Sequence, residues 1–160
     1  MSKFALFLIV LAILIILGVV FYLIQPLKKL SLQHDAKRKE DLMKIAAALE
    51  KYHGDYGMYP KYDEAAYIIV TSSYEVPWGT PFNPYLDVLP KDTSPRRYVY
   101  WSDKESNYQS FRVYASLEDP QDEKNACGTL KADCPNVPAP FLCGSNLPCN
   151  YGVSSGNISP

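Results

Sequence analysis

Four cysteines carry the most specific chemistry in this chain: Cys127, Cys134, Cys143 and Cys149, with six, eight and five residues between them. Thiols so spaced could ligate zinc or close into disulfides. Structural zinc sites draw on C-x2-C pairs, and none occurs here, so the zinc reading is set aside. Two disulfides stapling a tail poor in apolar residues are expected instead, with three connectivities open. The shortest closures would join Cys127 to Cys134 and Cys143 to Cys149. Just upstream runs Glu118-Asp119-Pro120-Gln121-Asp122-Glu123. The carboxylates of Glu118, Asp119 and Asp122 are the hard oxygen ligands that Ca²⁺ takes, although their spacing is not that of an EF-hand and a solvated loop is the competing reading. His34 and His53 lie 19 residues apart with no serine or cysteine arrangement that would make either a catalytic base. No acid–base constellation is legible, so the chain is expected to be no enzyme and to need no cofactor, Ca²⁺ aside. Lys and Arg number 16 against 17 Asp and Glu, a net charge of -1, which excludes the basic surplus of a nucleic-acid binder.

What positions these groups begins with an uneven distribution of charge along 160 residues, a length suited to one modest domain with an extension. Phe4 to Ile24 is 21 apolar residues without a charge. As a helix it would span about 31 Å, close to the roughly 30 Å of a bilayer core, so a transmembrane segment is expected. A cleavable signal would have a shorter apolar stretch and a small-residue cleavage site, whereas this one exits into Gln25-Pro26-Leu27-Lys28-Lys29. Lys28, Lys29, Lys37, Arg38 and Lys39 follow the span and only Lys3 precedes it, which taken alone places the remainder in the cytoplasm. The clustered cysteines argue for an oxidising compartment, and the expectation is an extracytoplasmic domain on a single-pass anchor.

Beyond Pro26, where a kink is expected, Leu42, Ile45, Leu49 and Tyr52 recur at helical spacing, with Lys37, Lys39, Glu40, Lys44 and Lys51 on the other side. The basic triplet Lys37-Arg38-Lys39 reads as a solvated helix face. Gly54, Gly57 and Pro60 supply the stop. Tyr67 to Thr71 could be strand or helix, and Tyr85 to Pro90 reads as a short helical turn. Tyr98-Val99-Tyr100-Trp101 is β-branched and aromatic, and Phe111, Val113, Ala115 and Leu117 alternate with Arg112, Tyr114 and Ser116 as a half-buried strand. Ser102 to Ser110 joins them as a hairpin. The many tyrosines are expected to supply apolar area with hydroxyls reaching water.

An apolar helix passing through Gly18 and Pro26 into an amphipathic one, DAKRKEDLMKIAAALEKYHGDYGMYP at 35–60, resembles the type IV pilin and type II secretion pseudopilin family. YLDVLPKD at 85–92, YVYWSD at 98–103, FRVYASLEDP at 111–120 and CNYGVSSGN at 149–157 extend the likeness. The resemblance implies an α+β, pilin-like fold: a long N-terminal helix, transmembrane half and amphipathic half, packed on a small antiparallel sheet with a disulfide-stapled tail. It divides the chain into 1–26, a transmembrane segment; 27–60, the amphipathic helix; 61–126, the globular part with its sheet; and 127–160, the cysteine-rich tail. It implies a structural subunit of a pilus or secretion pseudopilus, assembling through its N-terminal helix at Phe4, Ile9, Gly18, Ile24 and Pro26. Implied partners are other pilin or pseudopilin subunits, an inner-membrane assembly platform and the lipid bilayer. The alternative is a single-pass anchored domain that binds a partner without polymerising. Related pseudopilins bind calcium in a loop of this domain. In the family's register the glycine before the processing cut falls on Phe4 and the buried glutamate falls on Ile9, so an unprocessed N-terminus near Met1 and uncharged assembly contacts are expected.

Overall fold

A computed structural model describes residues 3–120, 127, 134–138 and 141–160, without the side chains of residues 5, 6 and 22–27. One helix, α1, runs from Lys3 to Tyr56 through 54 residues. Its second half is rich in Ala, Leu, Lys and Glu, the strong helix formers, and Glu40 and Lys44 add a 2.6 Å ion pair at i, i+4. Gly57 ends it: at φ 71° it takes the left-handed conformation that caps helices, and its N–H donates to the His53 carbonyl at 2.8 Å.

Two three-stranded antiparallel sheets follow, where one was expected. β1 (Lys61–Tyr62), β2 (Ile69–Val70) and β3 (Glu75–Val76) pair in the order β1-β2-β3. β4 (Val99–Ser102), β5 (Phe111–Ala115) and β6 (Tyr151–Ser154) pair in the order β4-β5-β6, with Tyr100 opposite Val113 and Val113 opposite Val153. Of the ambiguous stretch at 67–71, Ile69 and Val70 thus form strand and no part is helical. The helical turn read at 85–90 does not form. Phe82 bridges Leu86 around a tight turn, and the Leu89 N–H and C=O pair with Thr80 and Gly79, which holds the chain extended.

The core lies between α1 and the second sheet. Leu42, Ile45, Leu49 and Tyr52 pack with Tyr98, Tyr100, Phe111, Val113, Ala115 and Leu117, all buried. β5 was expected to be half-buried, yet outward-facing Tyr114 is fully buried. The tail folds over it, so that Val99, Tyr114, Tyr67 and the four half-cystines form a second apolar cluster on the sheet's far side. β6 itself comes from that tail. Gly152 is obligatory there, because a Cβ would come within 2.9 Å of the Tyr114 ring.

The transmembrane expectation is corrected. Among the described residues no helix is long and apolar enough to cross a membrane. The apolar run is no separate spanning element: it is the first part of a rod that continues through Gln25 and Pro26 into a half dense with charge. The single-pass topology, the membrane localisation and the bilayer as a partner were drawn from that span and go with it.

Candidate functional site

The upper half of α1 buries charge where a solvated face was expected. Arg38 is only 3 % exposed. Its Nε donates to both carboxylate oxygens of Asp92, at 3.0 and 3.2 Å, and its Nη1 donates to Asp35 at 2.8 Å and Glu118 at 3.1 Å. Asp35 in turn accepts the backbone N–H groups of Glu118 and Asp119 at 2.8–3.1 Å. One turn on, buried Asp41 accepts the Tyr98 hydroxyl at 2.8 Å and pairs with Lys37 at 3.3 Å. Burial pushes the Arg38 guanidinium down, but the bonds to Asp92, Asp35 and Glu118 outweigh it and hold it above its ordinary value. The same helix therefore grips the loop at 92, strand β4's approach at 98 and the chain leaving β5 at 118.

That network absorbs part of the acidic run. Glu118 is committed to Arg38, to His34 at 3.2 Å and to Arg96 at 3.7 Å, while Asp119 contributes its backbone to Asp35. Asp122 lies outside the described residues. Among the described residues, no group of three or more His, Cys, Asp or Glu is placed to hold a metal ion. His53 stacks on Tyr59 at 4.4 Å and faces Gln109 at 3.4 Å. Several tyrosine hydroxyls are bonded internally where all were expected to reach water: Tyr100 donates to the Pro60 carbonyl at 2.6 Å, Tyr59 to Glu50 at 3.0 Å and Tyr85 to Asp55 at 2.9 Å. Burial and the Glu50 carboxylate push the Tyr59 phenol up to about 12, and burial with Asp41 raises that of Tyr98.

In the tail, Cys127 bonds Cys134 and Cys143 bonds Cys149. The bridges lie side by side, with the Cys134 N–H donating to the Cys149 carbonyl at 2.8 Å. Asn150 ties this unit to β5: its side chain bonds both the N–H and the C=O of Leu117, at 2.7 and 3.1 Å.

The lower half of α1 is the opposite in character. Phe4, Phe7, Ile9, Leu14, Leu17 and Phe21 are exposed, Phe7 by 63 % of its surface. Gly18 has open space where a Cβ would sit, and Ile24 and Pro26 lie in the helix. Apolar area this extensive marks a contact surface.

A charged, internally satisfied anchor below a small sheet is joined to a rod whose described apolar side chains are exposed. The family described as Type II secretion system (T2SS), protein G matches residues 27–129, and the chain belongs to that family, a family of non-catalytic pseudopilin subunits. The match takes in the amphipathic half of α1 and strands β1 to β5, and stops before β6. Neither the curated proteins nor the solved structures yielded a match.

Proposed function

We propose that this pseudopilin polymerises by packing the apolar half of α1 against the same half of neighbouring copies, with the sheets facing outward. One observation carries the reading: the exposed run from Phe7 to Phe21 on a helix whose other half is fixed to the domain. Burying that run between helices removes apolar area from water at about 25 cal/mol per Å², with no polar group to desolvate. Ile9 supplies no charge where the family resemblance places a glutamate, so the contacts along this half would be made by apolar packing in place of the family's charged one. The working units are 1–26 for assembly, 27–60 for the anchor, 61–126 for the globular part and 127–160 for its clamp. The partners are other pseudopilins and the assembly platform of the secretion system.

Cysteine substitutions at Ile9, Leu14 and Leu17 in the full chain test this. Oxidation should link chain to chain at one or more of the three. Monomer alone at every position, with the fold intact by thermal melting, would overturn polymerisation and favour a non-polymerising binding domain.

A further inference from the structure

A cleft opens between the C-terminal end of α1 and the β2–β3 hairpin, far from the assembly surface. Its main chamber, about 410 Å³, is lined by Tyr52, Met58, Tyr59, Pro60, Val70 and Thr71. Past Ser72 it continues into a smaller chamber of about 80 Å³, faced by Tyr56, Tyr74 and Tyr85. The larger chamber falls within the size range of small-molecule sites. We propose that this cleft binds a neutral saccharide.

Three features point to that chemistry. The rings are held in place before any ligand arrives: Tyr52 lies 4.4 Å from Tyr56 and 5.4 Å from Tyr85, and the Tyr59 and Tyr85 hydroxyls are fixed by Glu50 and Asp55. Tyr52 and Tyr59 are themselves buried and act as backing, whereas Tyr56, held against Tyr52, and Tyr74 are exposed and offer flat apolar area to the C–H face of a sugar ring. Next, among the described residues Lys61 is the one charged side chain lining either chamber, and it lies over the Tyr108 ring at 5.7 Å, so an ionic ligand would find little to pair with. Finally, Ser72, Ser73 and Asn83 line the smaller chamber and bring side-chain donors and acceptors to it. A purely apolar occupant would leave such groups desolvated; a polyol would bond them. Stacking faces and hydroxyl partners in one cleft match a sugar's two kinds of surface.

The cleft also lies away from the helix contacts of the proposed filament. Tyr52 lies 31 residues beyond Phe21 along α1, on the order of 45 Å at about 1.5 Å per residue.

The test is saturation-transfer NMR on the full chain, with cellobiose and N,N′-diacetylchitobiose as probes at millimolar concentration. Saturation should pass from tyrosine protons to the ring C–H protons of at least one disaccharide. The double variant Tyr56→Ala/Tyr74→Ala removes two exposed rings and should weaken binding by about tenfold or more. Ser72→Ala/Ser73→Ala should weaken it as well while leaving the melting temperature unchanged. No transfer to either disaccharide would overturn the proposal, as would transfer undiminished in the tyrosine variant. Binding of a triproline peptide in their place would also overturn it and make the cleft a peptide groove. The experiment reads monomer and filament alike, so its failure is distinct from a failure to assemble.

Discussion

The two halves of α1 use one helical repeat for opposite ends. From Asp35 to Tyr52 the inward stripe is saturated with partners: Arg38 has three carboxylates, Asp41 a phenol and an ammonium, and Leu42, Ile45 and Leu49 a packed sheet. From Phe7 to Phe21 the side chains are exposed around the helix, with no sheet against them. The domain's stability should therefore reside in the upper half and its capacity to assemble in the lower. Substitutions can separate the two.

The largest effect is expected at Arg38. Arg38→Met leaves Asp35, Asp92 and Glu118 facing one another in a nearly dry site, and should destabilise the fold by about 3–5 kcal/mol in denaturant titrations. Adding Asp35→Asn and Asp92→Asn should recover part of the loss; no recovery would mean that the carboxylates are not the cause. Leu49→Ala, at a fully buried site, should cost about 2–5 kcal/mol, read the same way. An unchanged melting temperature would show that α1 does not use this face.

Removing the bridge between Cys143 and Cys149, as the double serine variant, should cost about 2–4 kcal/mol and loosen β6 first, visible as faster amide exchange at 151–154. A smaller effect is expected at Tyr59. Its phenol is raised in the fold, so the native state holds the proton more tightly than the unfolded chain does. That stabilisation is complete below the ordinary phenol value of about 10 and is lost as pH rises through about 12. Melting temperature followed across that window should fall less steeply in Tyr59→Phe than in the unaltered chain. Smallest of all for stability is Leu14→Asp, exposed on the lower half: within about 0.5 kcal/mol in the isolated subunit, with loss of sedimenting assemblies. A substantial stability change there would break the division between the halves.

The upper half of α1 is only partly legible in the sequence. The apolar stripe Leu42, Ile45, Leu49 and Tyr52 is plain in the sequence, as are the strand at 99–102 and the alternation at 111–115. Arg38, inside a basic triplet, looks like any solvated residue, and its partners Asp92 and Glu118 are 54 and 80 residues away. A signal was present: Asp35 and Arg38 extend the buried stripe upstream at steps of three and four residues, ahead of Leu42. Polar types there suggested surface, because charge on a core face is rare unless paired, and pairing over such separations is invisible to periodicity. β6 escaped for a different reason. Tyr151-Gly152-Val153-Ser154 is short and carries a glycine, which sequence reading treats as a break, whereas the fold needs it to clear the Tyr114 ring. The apolar run misled in the other direction, since length and hydropathy suggested a span where the structure has one continuous rod.

The attachment of Arg38 to two distant stretches of chain, at Asp92 and at Glu118, has a mechanical meaning. In the proposed filament, a pull along the axis would load α1 in shear against its own domain, and Leu42, Ile45 and Leu49 alone would resist by sliding contacts that are non-directional. Hydrogen-bonded ion pairs are directional, and those of Arg38 and Asp35 reach the segments at 92 and at 118–119 from a single turn of helix. Slippage by one residue would have to break them together. The network acts as a shear pin, holding the shaft in register with the body it carries.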